Sequence, residues 1–188
     1  MKVLVACEES QAVTKEFRKL GHEAFSWDII ECSGGHPEWH IQGDVTRILK
    51  PMDNGYGEKN AINFATAEGT FHIIGEQWDL ILAFPPYTYL TCTGNRWFNV
   101  EKYGEKALKR HQDRKEAIDF FMLFAQSNCD RVVIENPVGV MSSEWRKPDQ
   151  LVHPYHFGDP FEKRTCLWLK GVEPLQHTNV VEPEPTRS

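Results

Sequence analysis

The sequence predicts an α/β fold with a mostly parallel, doubly wound sheet. Short apolar runs with strand character alternate along the chain with segments of helical periodicity, and this alternation is typical of parallel sheets. Two of the runs end in prolines, at Phe84-Pro85-Pro86-Tyr87 and at Glu135-Asn136-Pro137. Because proline cannot continue a central strand, each run ends in a fixed loop at the edge where open α/β sheets bind their ligands.

The first part of the chain predicts three strands and one helix. Val3 to Cys7 and Ala24 to Ile30 are apolar runs with strand character, and Ile41 to Val45 is a shorter third run. Between the first two runs, Ala12 to Leu20 has helical spacing and ends at Gly21. This order is that of a strand-helix-strand unit.

The middle of the chain has the weakest pattern. Pro51 to Glu76 is rich in Gly and Asn and lacks a sustained period. Within it we predict a short helix near Ala61 to Ala67 that packs over the sheet. Trp78 to Phe84 is the next strand, and a loop rich in Thr, Gly and Asn follows it.

The last part predicts the longest helix and two more strands. The helix runs from about Glu105 to Ser127, with a buried stripe that includes Ala107, Leu108, His111, Ile118, Phe121, Met122 and Ala125. Val132 to Glu135 and Thr165 to Leu169 complete the strand set. We expect one domain over residues 1–172 and an extended tail over residues 173–188.

Length and composition narrow the class of protein. A chain of 188 residues with 40% hydrophobic residues is long enough to bury a core without disulfides or metal. No apolar run is long enough to cross a bilayer, and the N-terminal run is too short for a secretory signal. We therefore expect a cytoplasmic protein without a membrane partner. The five cysteines form no CxxC pair, which argues against a disulfide framework and a structural zinc site.

The net charge of −6 disfavours non-specific binding to a polyanion. A local basic patch is the exception to consider, and its residues are Lys102, Lys106, Lys109, Arg110, Arg114 and Lys115. Such a run is more often a solvated helix face. Among the tryptophans, Trp97 is the best candidate to stack on a base, because Asn95-Arg96-Trp97 follows the Pro-Pro loop closely.

The residues directly after the strands should meet at one edge of the sheet. In chain order these positions carry Cys7-Glu8-Glu9-Ser10, Asp28, Asp44, Pro85-Pro86-Tyr87 and Glu135-Asn136. Asp28, at the end of the second strand, is suited to accept hydrogen bonds from a ribose hydroxyl pair. Asp44 is suited to accept one from an adenine amino group. The ordered set indicates a nucleoside-binding cleft.

A metal site is not predicted. His36, Glu38 and His40 alternate, so they would share one face only in an extended strand. Pro37 disfavours a regular central strand at this point.

Taken together, the motifs resemble those of the cytosine-C5 methyltransferase family. Phe84-Pro85-Pro86-Tyr87 is similar to the family's Pro-Pro-Cys loop, and Glu135-Asn136-Pro137-Val138 is similar to its Glu-Asn-Val motif. Phe157-Gly158-Asp159-Pro160 followed by Lys163-Arg164 is similar to its Tyr-Gly-x-Pro and arginine motif. The resemblance lies in the order and spacing of these motifs.

Small cytosine methylase proteins of phages and prophages also look similar across nearly the whole chain. The similar segments include Ala6-Cys7-Glu8-Glu9-Ser10-Gln11 and Gly35-His36-Pro37-Glu38-Trp39-His40. The resemblance implies a Rossmann-like domain of the class I methyltransferase type that modifies cytosine in DNA or a nucleotide. It implies S-adenosylmethionine as cofactor, bound by Cys7, Glu8, Ser10, Asp28, Asp44, Phe84 and Pro85.

The resemblance also implies catalytic roles. Carbon five of cytosine is a poor nucleophile, so the family adds a cysteine thiolate to carbon six of the ring. Glu135, in the motif that includes Asn136, would hydrogen-bond the ring nitrogen and the exocyclic amine. Arg164 would neutralise charge at the carbonyl oxygen. The catalytic set implied for this chain is Tyr87, Glu135, Asn136 and Arg164.

The chain departs from the family at Tyr87, which stands where the nucleophilic cysteine is expected. A phenol with an ordinary pKa of about 10 is mostly protonated at neutral pH, so it does not replace a thiolate. Cys92 lies five residues further on and reaches the site only if the loop folds back. Three hypotheses stay open: a methyltransferase with impaired activity, a catalytically silent nucleotide- or cofactor-binding protein, and an amino-group methyltransferase in which Tyr87 stacks on the base.

Two further departures concern the ligands. The first loop, Cys7 to Ala12, lacks the glycines that normally let the backbone approach a cofactor. The 24 residues from Thr165 to Ser188 leave no room for a separate target-recognition domain. We therefore expect a nucleotide, a single strand, or a substrate presented by a protein partner or a second copy of the chain.

Overall fold

The computed structural model describes residues 1–47, 49 and 61–184 of the chain. The strands are β1 (Lys2–Ala6), β2 (Glu23–Asp28), β3 (His40–Gln42), β4 (Ile62–Ala65), β5 (Phe71–Ile74), β6 (Leu80–Ala83), β7 (Val132–Pro137), β8 (Gln150–Val152) and β9 (Thr165–Lys170). The α-helices are α1 (Ala12–Lys19), α2 (Val100–Tyr103), α3 (Glu105–Ala125) and α4 (Met141–Glu144). Short 3-10 turns cover Pro37–Trp39, Val45–Arg47, Asn95–Phe98 and Pro154–His156.

Seven of these strands form one sheet in the order β3-β2-β1-β6-β7-β9-β8. The first five are parallel neighbours, and β9 runs antiparallel to both β7 and β8. The order of the five parallel strands is that of a Rossmann-like sheet. The chain adds β2 and β3 on one side of β1 and then β6 and β7 on the other side. The predicted α/β fold with a mostly parallel sheet is thus confirmed, and it is compatible with a Rossmann-like fold.

The two faces of the sheet carry different helices, because side chains of a strand point alternately to opposite faces. Leu4 and Ala6 of β1 belong to the core cluster that contains Phe121 of α3. Val3 and Val5 belong to a second cluster, against which partly buried side chains of α1 pack. The sheet is therefore covered from both sides, as a doubly wound fold requires.

The helix predicted near Ala61 to Ala67 is wrong. This segment contains β4, which pairs antiparallel with β5 in a separate two-stranded sheet. Ile62, Phe64 and Thr66 are buried in alternation, which is the period of a strand. Gly69, with φ 91°, supports the turn between the two strands. Residues 51–60, the first part of the segment without a sustained period, lie outside the described residues.

The long helix α3 ends two residues before the predicted boundary and buries a shifted stripe. Ile118, Phe121, Met122 and Ala125 pack against the core as predicted, and Ala107 is buried. Leu108 is 56% exposed and His111 is exposed, because the first turns of α3 contact a loop instead of the sheet. His111 Nε2 lies 3.0 Å from the Phe98 carbonyl oxygen of that loop and donates to it. The antiparallel strand β8 was not predicted.

Residues 173–184 contact β8 and the turn that follows it. The Gln150 side chain of β8 donates to the Leu175 carbonyl oxygen at 2.7 Å and accepts from the Leu175 amide at 2.8 Å. Further on, the Val181 amide donates to the Tyr155 carbonyl oxygen at 2.9 Å. No helix in the described part of the chain has the length and apolar character to cross a membrane.

The two proline-terminated strand ends are fastened to each other. Parallel pairing of β6 with β7 places Ala83, the last residue of β6, opposite Ile134, and β7 continues to Pro137 beside the Pro-Pro turn. The buried Asn136 side chain donates to the Pro85 carbonyl oxygen at 2.8 Å. Further along the same two segments, the Val140 amide donates to the Leu90 carbonyl oxygen at 2.8 Å.

Gly139 allows this close approach, and its replacement should destabilise the fold. A methyl group added at Gly139 would overlap the Leu90 carbonyl oxygen, which belongs to the backbone and cannot rotate away. We expect Gly139→Ala to lower the free energy of unfolding by about 1–3 kcal/mol, as for other overpacked sites. Urea denaturation measures this change. Gly75→Ala is the matched control, because nothing lies within 4 Å of the added group. Equal stabilities of the two variants would contradict the predicted overlap.

Candidate functional site

A cavity of about 460 Å³ opens at the carboxyl ends of β1, β2, β3 and β6. We call it the first cavity. It is lined by residues that follow these strands and by one face of α3: Cys7, Trp27, Asp28, Ile29, Gly43, Asp44, Val45, Pro86, Thr88, Tyr89, Asp113, Ala117 and Phe120. Its size and mixed lining are those of a small-molecule site.

Two carboxylates of the lining come from the ends of β2 and β3. Asp28 is half-buried, and its Oδ1 accepts from the Ile30 amide at 3.3 Å. Asp44 Oδ1 accepts from the Thr46 amide at 2.9 Å. Hydrogen bonds from Thr46, with the charge of Arg47 nearby, hold the pKa of Asp44 below its usual range. These acids suit a ligand that carries hydroxyl and amino donors.

The N-terminus of α1, which borders this edge, is occupied by a carboxylate of the protein itself. Glu8 is buried, and its Oε1 accepts from the Val13 amide at 2.5 Å. Its Oε2 accepts from the Thr14 amide at 3.3 Å and from the Thr14 hydroxyl at 2.6 Å. A helix N-terminus is the position at which dinucleotide-binding folds hold a pyrophosphate. Because Glu8 occupies it, the site disfavours a phosphate there.

The first loop is tied down by Gln11, a residue that sequence reasoning did not single out. Gln11 is fully buried with φ 57°, and its side chain donates to Ser26 Oγ at 3.1 Å. It also donates to the His36 carbonyl oxygen at 2.8 Å and accepts from the His36 amide at 3.0 Å. Ser10 is exposed, and its hydroxyl lies 3.4 Å from the Ala12 amide that donates to it. Neither Glu8 nor Ser10 lines the first cavity.

The histidines of the Gly35–His40 segment have local partners. His36 Nδ1 lies 2.8 Å from Glu38 Oε1, and the His36 ring stacks on Trp39 at 3.8 Å between centroids. His40 is buried, with Nδ1 2.9 Å from Ser26 Oγ and Nε2 2.9 Å from the Ile30 carbonyl oxygen. Over residues 1–47, 49 and 61–184, no group of three His, Cys, Asp or Glu side chains is placed to hold a metal ion.

A second cavity of about 320 Å³ lies on the α1 face of the sheet. Phe84 and Glu135 line it together with apolar side chains, which are Phe17, Leu80, Leu82, Ala83, Val133, Leu167, Leu169, Val172 and Leu175, and with Glu173. The Pro-Pro turn therefore contributes to both cavities, with Phe84 in the second and Pro86 in the first. Burial raises the pKa of Glu135, and the charge of Lys163 offsets part of this effect.

The remaining predicted catalytic residues occupy three different environments. Asn136 is 2% exposed and its amide is engaged by Pro85. Tyr87 is 56% exposed at the Pro-Pro turn, and Arg164 is exposed before β9. Neither Tyr87 nor Arg164 lines the first or the second cavity. The structure thus joins the two turns through Asn136 but places Glu135 on the opposite sheet face from the first cavity.

The cysteines differ in their capacity to form a thiolate. Burial, together with the charge of Asp28, raises the pKa of Cys7 to about 12. Burial likewise raises the pKa values of Cys129 and Cys166. Cys92 is exposed on the loop after the Pro-Pro turn. The thiol that lines the first cavity is therefore protonated at neutral pH and is a poor nucleophile.

No protein-family model matches the sequence, and a search of curated proteins finds no match.

Cysteine alkylation should separate these environments. We expect iodoacetamide to modify Cys92 rapidly in the native protein at neutral pH and to modify Cys7 far more slowly, because only thiolates react. Peptide mass spectrometry over a time course measures both rates. Alkylation in denaturant is the control and should equalise them. Fast native modification of Cys7 would contradict the raised pKa.

The raised pKa of Glu135 predicts a pH dependence of stability. As pH rises above the ordinary carboxyl pKa of about 4.3, the unfolded chain loses this proton before the folded protein does. The native state is therefore penalised across that interval and at all higher pH. Glu135→Gln should stabilise the protein at neutral pH and have no such effect in acid, as measured by denaturation at both pH values. Asp44→Asn, at a carboxylate with a lowered pKa, should act in the opposite direction. A stabilisation by Glu135→Gln that is equal at both pH values would contradict this origin.

Proposed function

We propose that this protein is a methyltransferase-like protein of the class I type that uses S-adenosylmethionine and acts on cytosine in DNA or a nucleotide. The main support is the first cavity, which is lined by the Asp28 and Asp44 carboxylates and lies at the same sheet edge as a helix N-terminus that Glu8 closes. The resemblance of the motifs to cytosine-C5 methyltransferases supports the choice of reaction.

The first cavity fits an adenosine without phosphates. Asp28 would accept hydrogen bonds from the ribose hydroxyl pair, and Asp44 would accept one from the adenine amino group. Ile29, Val45 and Pro86 provide apolar surface for the base. A pyrophosphate would have to compete with the Glu8 carboxylate, which disfavours dinucleotide cofactors.

S-adenosylmethionine, when bound, supplies an electrophilic methyl group. The chain's own contribution in the first cavity is a pair of carboxylates, Asp28 and Asp44. The lowered pKa of Asp44 keeps that group ionised, so it serves only as an acceptor. Glu135, to which the resemblance assigns the cytosine, lines the second cavity on the opposite face of the sheet, and this position does not support that role.

A second candidate function is nucleotide or cofactor binding without turnover. The position of Tyr87 and the raised pKa of Cys7 favour it, because cytosine C5 methylation needs a thiolate nucleophile. Amino-group methylation would not need that thiolate, and Tyr87 would then stack on the base. All three hypotheses place the cofactor in the first cavity. They differ in whether a product forms and in which atom of cytosine receives the methyl group.

Titration calorimetry tests the shared cavity. We expect S-adenosylmethionine and S-adenosylhomocysteine to bind, and a dinucleotide such as NAD not to bind. Asp28→Asn should weaken binding by about 10- to 100-fold, as expected for loss of a hydrogen bond to a charged group. Asp119→Asn, at an exposed position of α3, is the matched control and should leave affinity unchanged. No binding of either adenosine compound, or equal affinities of the two variants, would contradict the proposed cofactor.

Transfer of a labelled methyl group separates the functions. The wild-type protein and Tyr87→Cys are incubated with cytosine-containing DNA, RNA and nucleotides, and the products are identified by mass spectrometry. Methyl on carbon five, with a gain in Tyr87→Cys, supports the first proposal, and methyl on the amino group supports amino-group methylation. Cofactor binding without product from either protein supports the silent binding protein. Tyr87→Phe controls for removal of the phenol.

A further inference from the structure

A concavity of about 530 Å³ lies beside the first cavity, between α3 and the segment after the Pro-Pro turn. We call it the aromatic groove. It is lined by three aromatic rings, three cationic side chains and one acid: Tyr89, Trp97, Tyr103, Lys106, Lys109, Arg110 and Asp113. Tyr89 and Asp113 also line the first cavity, so the two sites share a wall.

The cationic wall comes from one face of α3. Lys106, Lys109 and Arg110 follow the spacing that places side chains together on a helix face. Lys109 forms an ion pair with Asp113 at 2.7 Å, whereas Lys106 is exposed and forms no ion pair with any other described residue. The Nε atom of Arg110 is buried and has no hydrogen-bond partner in the described part of the chain. Asp113, the acid of the groove, pairs with Lys109, so Lys106 and the Nε atom of Arg110 remain as donors for a ligand.

The aromatic wall offers surfaces for stacking. The Trp97 and Tyr103 rings lie 5.1 Å apart between centroids at an angle of 48°, and Trp97 is 41% exposed. The Arg110 guanidinium lies 5.3 Å from the centroid of the Tyr89 ring. Tyr89 and Tyr103 are half-buried, so Trp97 is the ring of this wall that is exposed. An exposed ring beside cations is the combination that binds bases and the phosphates between them.

The aromatic wall is held in place by Arg114, which does not line the groove. Its guanidinium lies 3.6 Å from the Phe98 ring centroid and donates to the Tyr89 carbonyl oxygen at 2.9 Å. It also donates to Asn95 Oδ1 at 2.8 Å. These contacts dock the segment that carries Trp97 onto α3, so binding requires little ordering of the groove.

We infer that the aromatic groove binds single-stranded nucleic acid and passes it across the mouth of the first cavity. Stacking on Trp97 and Tyr103 requires an exposed base face, and bases in a duplex have both faces covered by their neighbours. Because the chain carries a net charge of −6, phosphates need a local cluster of cations, and Lys106, Lys109 and Arg110 provide one. The inference rests on the proposed function in one respect, namely that the bound strand is the substrate and delivers cytosine to the first cavity.

Fluorescence anisotropy tests the inference with the full chain and no cofactor. The probes are labelled oligo(dC) and oligo(rC) of about ten nucleotides, which is within the site size of known single-strand binders. A duplex of the same length and free cytidine monophosphate serve as competitors. DNA and RNA strands present the same bases and phosphates, so comparing oligo(dC) with oligo(rC) shows which of the two the groove binds more tightly.

We expect both strands, or one of them, to bind at low salt, and the duplex and the nucleotide to compete weakly. Trp97→Ala should weaken binding by at least about fivefold, the lower limit for loss of one stacked base. Lys106→Ala should weaken binding through loss of one phosphate contact. Three cations predict a slope of log affinity against log salt of about −2 for a single strand, and Lys106→Ala should reduce its magnitude by about 0.7. Two matched controls should bind like wild type: Lys115→Ala, on the opposite face of α3, and Phe161→Ala, at an exposed ring that does not line the groove.

Absence of strand binding, equal or tighter binding of the duplex, or strand affinity unchanged in both Trp97→Ala and Lys106→Ala would overturn the inference. Because Lys106 is exposed on the helix surface, its variant should keep the fold and remains informative if Trp97→Ala unfolds. These outcomes do not depend on the cofactor. Failure of the proposed function appears instead as loss of adenosine binding in calorimetry.

Discussion

The hydrogen bond from the buried Asn136 side chain to the Pro85 carbonyl oxygen is the interaction on which the arrangement of the site depends. It ties the loop after β6 to the C-terminal end of β7, and the missing side chain of Gly139 lets the backbone that follows β7 meet that loop at Leu90. The Pro-Pro turn is therefore fixed between two cavities. Its residue Phe84 lines the cavity with Glu135, and Pro86 lines the cavity with the Asp28 and Asp44 carboxylates.

A second constraint sets the kind of ligand. In dinucleotide-binding sheets, glycines open the first turn and the helix N-terminus binds phosphate. Here Glu8 satisfies the amides of α1, and Gln11 holds the segment around His36 against the same turn. Because Glu8 takes the position of the phosphate, the backbone of this loop does not have to approach a pyrophosphate, and glycines are not required there. An adenosine whose polar groups face carboxylates remains the ligand that the first cavity favours, and the aromatic groove beside it favours an unpaired strand.

The sequence predicts the sheet well because buried parallel strands are short apolar runs that end in turn residues. It also places Cys7, Asp28 and Asp44 at the correct edge, since each follows such a run. It fails at β4, where a short helix is predicted but alternate burial of Ile62 and Phe64 decides for a strand. Glu8 binds the first amides of α1 because of the geometry of the loop after β1. Glu135 points to the α1 face of the sheet because of the strand register of β7. Neither is encoded in the spacing of a motif.

The most direct test is a crystal structure with S-adenosylhomocysteine. We expect adenosine in the first cavity, with ribose hydroxyl groups within hydrogen-bond distance of Asp28, the adenine near Asp44, and Glu8 still bound to the first turn of α1. An adenosine bound elsewhere, or a first cavity filled by protein side chains in the crystal, would contradict it.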